Sequence, residues 1–117
     1  MNAGTIVGNK VSSNGVHGIY LFAGTGNMVL GNTCDGNGTD GIHLGDGVST
    51  GNTVRGNQAN SNSNAGISIG SGGSVEHFSG NLALGNSVLD ISDSNSNCAT
   101  DTYSSDVFRT SNQPCVK

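Results

Sequence analysis

The sequence predicts an all-β chain wound as a β-solenoid, and three observations carry that expectation. A "GN" pair recurs at Gly8-Asn9, Gly31-Asn32, Gly56-Asn57 and Gly80-Asn81, with Asp106 at the Asn position of a degenerate fifth repeat, so the periods are 23, 25, 24 and 25 residues. The chain holds 20 Gly and 16 Asn but one Pro, a composition that nearly excludes helices and favours Gly/Asn turns. Between the turns, short segments such as "GIYLFAG" and "GIHLGDG" alternate aliphatic and polar residues. About three strands of roughly 3 to 5 residues, with their turns, close one solenoid coil of this length.

The elements of each coil follow from fixed offsets. Ten residues after each anchor Asn comes Ile19, Ile42, Ile67 or Ile91, which opens strand A. Period two then turns Ile19/Leu21, Ile42/Leu44 and Ile67/Ile69 inward and leaves Tyr20, His43, Ser68 and Ser92 outside. Strand B contributes Ile6, Val29, Val54, Phe78 and Tyr103 to the interior, with Met28, Thr53, His77, Thr102 and Leu30, Arg55, Ser79, Ser104 as its two outward columns. Strand C contributes Val11, Cys34, Ala59, Ala83 and Phe108. One coil buries only about half a dozen apolar side chains, so stability has to come from stacking.

Two columns of asparagine are expected to form ladders. Asn9, Asn32, Asn57 and Asn81 follow the anchor glycines, and Asn14, Asn37, Asn62 and Asn86 come five residues later. Their amides can satisfy turn backbone groups and stack coil on coil, and Asn tolerates a left-handed bend. All length variation falls after strand A, in "FAGTG", "GDGVSTG" and "GSGGSV", so that corner is expected to be a free loop.

Charge excludes some functions. Charged residues make up 10% of the chain, the net charge is -4, and the cations Lys10, Arg55, Arg109 and Lys117 are scattered. A nucleic-acid surface needs clustered Lys and Arg, and membrane insertion by a helix needs an apolar run of spanning length; the sequence has neither. "NAGTIVGN" directly after Met1 already reads as repeat, with no signal peptide, so the chain is expected to start partway through a longer protein.

The motif "GI.L......N.V.GN....N", which spans the whole chain, resembles the right-handed parallel β-helix repeats of the pectate-lyase-like superfamily. The resemblance implies a right-handed parallel β-helix of about four regular coils over residues 1–92 and a C-terminal cap over 93–117. It does not choose an activity, because lyases, hydrolases, phage tailspikes, adhesins and inert stalks share the fold. The ending "DISDSNSNCATDTYSSDVFRTSNQPC" looks like the terminal segment of secreted bacterial β-helix repeat proteins, which implies a true C-terminus.

Cys98 and Cys115 flank the degenerate last coil, where Asp93 replaces an aliphatic of strand A. A disulfide there would staple the tail over the open end and imply an oxidising extracellular or cell-surface location; the alternative is two free thiols. Cys34 reads as a buried inert thiol rather than a nucleophile. His17 falls on a corner, His43 outside strand A and His77 outside strand B, so the three are not expected to converge on zinc and each reads as a solvated surface histidine.

A lyase of this fold would show carboxylates holding Ca²⁺ beside a basic residue, and a hydrolase clustered aspartates. The outward columns offer neither, so no catalytic residue, metal or cofactor is expected in this chain. Asp40 and Asp46 bracket strand A of one coil beside Tyr20 and His43, either as a saccharide or ion site or as turn aspartates serving local backbone. Tyr20, Phe22, His43 and Asp46 form the candidate glycan patch. Leu82 and Leu84 stand where earlier coils carry polar residues and should be exposed, under a returning tail or at a subunit contact. Self-association through that face or the N-terminal coil edge is expected. The leading functional expectation is a non-enzymatic extracellular scaffold or interaction module. The alternative is the C-terminal coils of a carbohydrate-active enzyme whose catalytic coils are absent.

Overall fold

Strands this short cannot bury an aliphatic edge alone, and parallel stacking of equivalent strands is how the chain does it. A computed structural model describes residues 2–45, 49–74 and 76–117. Strand A recurs as β2 (Ile19–Phe22), β4 (Ile42–Gly45), β7 (Ala65–Ile69) and β11 (Leu89–Asp93), which form one parallel sheet in the order β2-β4-β7-β11. Strand B recurs as β1 (Thr5–Val7), β3 (Met28–Leu30), β6 (Thr53–Arg55), β9 (His77–Ser79) and β12 (Thr102–Ser104) in a second parallel sheet. Strand C is mostly single bridges, Lys10 to Thr33 to Gln58 to Leu82, and becomes a strand pair only where β10 (Leu82–Ala83) meets β13 (Val107–Phe108).

The registers are those expected from the offsets. Ile19, Ile42, Ile67 and Ile91 align, as do Tyr20, His43, Ser68 and Ser92. The strand B columns also align, so Arg55 lies between Leu30 and Ser79. Ile42, Leu44, Ile67, Ile69, Ile91, Val29, Val54, Phe78, Cys34, Ala59 and Ala83 form a continuous buried core. Burial also pushes the Cys34 thiol up to about 12, which keeps it protonated and inert.

The asparagine ladders are present, and their mechanism differs from the expectation in one respect. The left-handed residue is the one before each ladder position: Gly8, Gly31, Gly56 and Gly80 in one column, and Ser13, Gly36, Ser61 and Gly85 in the other. The bend turns the ladder side chain inward, where its oxygen accepts from the preceding Asn of the column. Asn57 Oδ1, for example, accepts from both Asn32 N–H and Asn32 Nδ2, at 2.8 and 3.0 Å. Both columns end on carboxylates. Asp106 Oδ1 accepts from Asn81, and Asp90 Oδ1 accepts from Asn86. Asp90 stands four residues after Asn86, where earlier coils have Gly18, Gly41 and Gly66, and its side chain takes the place of the next asparagine.

A third ladder runs through the corner expected to be a free loop. Gly4 N–H donates to Asn27, Asn27 N–H to Asn52, Asn52 N–H to Glu76, and Glu76 N–H to Asp101. In the same corner β5 (Ser49–Thr50) pairs with β8 (Gly73–Ser74). Glu76 is fully buried, and burial raises its carboxyl pKa against hydrogen bonds from Asn52 and Ser49. Burial also raises Asp101, opposed by the Glu76 N–H and reinforced by the nearby Asp93 charge, from 3.8 to about 7. The folded chain thus holds this proton more tightly than the unfolded chain. Its stabilisation is complete below about pH 4 and is lost as the pH rises through 7. Thermal melts between pH 5 and 8 should therefore show stability falling with pH, and Asp101→Asn should flatten that slope; an unchanged slope would refute the assignment.

The tail continues the stack before it closes it. Phe78 and Tyr103 stack at 4.8 Å, and the Tyr103 hydroxyl donates to Asp93 Oδ2 at 2.8 Å, which accounts for a carboxylate at an inward position of strand A. Asn112 Nδ2 and Gln113 Nε2 donate to the Asp93 carbonyl. Cys98 and Cys115 are bridged, with Cα atoms 6.1 Å apart, and Cys98 and Val116 join the end of the core. With 17 residues of separation the bridge should stabilise the chain by about 3 kcal/mol. Non-reducing mass spectrometry should find it intact with Cys34 as the free thiol, and reduction should lower the melting temperature.

Leu82 and Leu84 are half-buried rather than exposed. Leu82 aligns with Val107 of the returning tail, and Leu84 N–H donates to Asn60 Oδ1 of the preceding coil.

Candidate functional site

The sheet built from strand A presents one polar and aromatic cluster on its outer face. Tyr20 and His43 are register partners on β2 and β4, and Phe22 closes β2 two residues along the same face. His17 and Asp40 occupy the same corner in successive coils, each three residues after a ladder asparagine and just before strand A. Parallel stacking therefore places His17, Asp40 and His43 together.

Asp40 is the centre of the cluster. Its Oδ1 accepts from Asn64 Nδ2 at 2.8 Å and from Ala65 N–H at 3.0 Å, both in the next coil. Oδ2 faces the other way and lies 3.2 Å from His17 Nδ1 and 3.3 Å from His43 Nδ1. Burial pushes the Asp40 carboxyl up, but hydrogen bonding from His43, Asn64 and Ala65 outweighs it and the net direction is down, so Asp40 is an anion at neutral pH. It serves backbone of the next coil rather than its own turn, and also holds two imidazoles.

The rings pack on one another. His17 and His43 stack with centroids 4.7 Å apart and planes 10° from parallel. Tyr20 meets both, at 5.0 and 5.1 Å, and Phe22 meets Tyr20 edge-on at 6.2 Å. Tyr20 is 43% and Phe22 60% exposed, whereas His43 is 8% exposed. His43 is thus no solvated surface histidine despite its outward register, because His17 and Tyr20 cover it, and His17 is itself half-buried. His77 remains exposed on the other sheet, bonded to Thr102 at 2.9 Å. The set of three histidines does not converge, but two of them do.

The expected patch of Tyr20, Phe22, His43 and Asp46 is therefore assembled in its first three members; Asp46 lies outside the described residues. What sequence reasoning missed was His17. The signal was available in the shared offset of eight residues that separates Asn9 from His17 and Asn32 from Asp40.

The family model described as "right handed beta helix region" matches residues 2–107. This chain belongs to the right-handed β-helix family. No curated protein and no solved structure matches it. In this β-helix the match covers the regular coils and reaches β13, so handedness and stacking are family properties, whereas the His17, Asp40 and His43 cluster rests on this chain's own geometry.

Proposed function

We propose that this chain is a non-enzymatic extracellular β-helix module that makes weak glycan contacts through the outer face of strand A. The observation that carries this reading is the exposed Tyr20–Phe22 pair, two rings set edge to face on a sheet whose backbone is locked by asparagine ladders. Such rings offer apolar faces to sugar C–H groups at small entropic cost, since the scaffold beneath them is rigid. His43 and His17 supply polar edges beside them. The Cys98–Cys115 bridge supports an oxidising, extracellular setting.

The test is paired. On a glycan array the chain should show weak, saturable binding that Phe22→Ala and Tyr20→Ala each reduce at least about fivefold, the loss of one well-packed aromatic contact. Incubation with acidic and neutral polysaccharides, with or without Ca²⁺, should release neither reducing nor unsaturated ends. Release of ends that Asp40→Asn abolishes would replace the module reading with an enzyme. Binding indifferent to both aromatic substitutions would remove the patch.

A further inference from the structure

The His17, Asp40 and His43 cluster has a geometry that glycan contact does not require. Ligands of a tetrahedral ion with metal–ligand bonds of about 2.0–2.2 Å stand about 3.3–3.6 Å from one another. Asp40 Oδ2 lies 3.2 and 3.3 Å from the two Nδ1 atoms. One possible ligand atom from each of the three residues falls within 4.8 Å of the other two. We propose that His17 Nδ1, Asp40 Oδ2 and His43 Nδ1 bind a divalent transition ion of the Zn²⁺ class.

The arguments are chemical and positional. Two imidazole nitrogens and one carboxylate oxygen form a borderline donor set suited to Zn²⁺ and its neighbours, and unlike the all-oxygen shell that Ca²⁺ takes. Asp40 is oriented as a metal-binding carboxylate is, with the hydrogen bonds from Asn64 and Ala65 occupying Oδ1 and fixing Oδ2 toward the histidines. Those two donors come from the next coil, so the ladder architecture itself sets the carboxylate. His43 and Asp40 are buried, which limits competition from water, while the half-buried His17 forms the rim through which an ion enters. The imidazoles are stacked with near-parallel planes, so binding requires His17, the most exposed of the three, to rotate until its in-plane lone pair meets the ion. Three protein ligands leave a fourth position for water.

Isothermal titration of Zn²⁺ into the full chain, stripped of metal with chelator, should show one saturable equivalent, and Zn²⁺ should raise the melting temperature. Asp40→Asn is the decisive variant. Its remaining oxygen still accepts from Ala65 N–H, so the fold is kept, while an amide nitrogen replaces the ligand oxygen. It should weaken Zn²⁺ binding at least tenfold, as should His43→Gln and His17→Gln, with circular dichroism unchanged. His77→Gln, on the other sheet, should bind like the parent chain. Absence of saturable binding, or equal affinity in the parent, Asp40→Asn and His17→Gln, would overturn the proposal. Glycan binding is read separately, through Phe22→Ala, so failure of either inference leaves the other standing.

Discussion

Gly41→Ala is expected to destabilise the solenoid by about 3 kcal/mol or more, toward the upper end of overpacking costs. A Cβ at Gly41 would lie 2.7 Å from the Cys34 carbonyl oxygen, 2.8 Å from the Gly66 carbonyl oxygen and 2.8 Å from Asn62 Nδ2. Two of these neighbours are backbone, and the third is a ladder amide held by its own hydrogen bonds to Cys34 O and Asn86, so none can yield cheaply. Gly36 and Gly15 are the controls. Gly36 has φ +66° with nothing within 4 Å, so Ala there should cost about 1 kcal/mol of left-handed strain. Gly15 has open space and ordinary φ, and Gly15→Ala should change stability by less than about 0.5 kcal/mol. Urea midpoints that do not follow this order would contradict the close approach of successive coils.

Asn57→Ala should cost about 3 kcal/mol, because one buried amide serves groups in both adjacent coils. Its removal takes the acceptor from Asn32 N–H and from Asn32 Nδ2, and takes a donor from the Val29 carbonyl and from Asn81 Oδ1. Asn60 lies outside the two sequence-readable ladders, yet its Oδ1 accepts from Leu84 N–H at 2.9 Å. Asn60→Ala should therefore cost about 1 kcal/mol, the worth of a single partly buried hydrogen bond. Equal melting temperatures for the two variants would contradict the ladder's larger role.

The inward columns were legible because a side chain in a strand has only two faces and the repeat supplies several independent readings of each position. Ile19, Ile42, Ile67 and Ile91 agree with one another, and the registers follow from that agreement. The third ladder was harder to read, since it passes through Asn27, Asn52, Glu76 and Asp101, whose residue types change along the column. Any side chain with an oxygen at the right reach can accept the same N–H, so identity is a weak guide there. The burial of His43 was equally hidden. Its register is outward, and it is covered by His17 and Tyr20 of the preceding coil.

By itself the sequence determined the coil, its period, its inward columns and two ladders, whereas the bridge between Cys98 and Cys115 was decided against two free thiols only by the structure. The former depend on local rules: period-two alternation, left-handed turns and fixed offsets between like residues. Tertiary structure alone decided how closely the corner side chains approach one another across coils. His17 lies 23 residues before Asp40, and their nitrogen and oxygen come within 3.2 Å only because parallel stacking sets one corner on the next. The distance depends on the turn geometry and rotamers of several neighbouring side chains together, and no repeat offset specifies those.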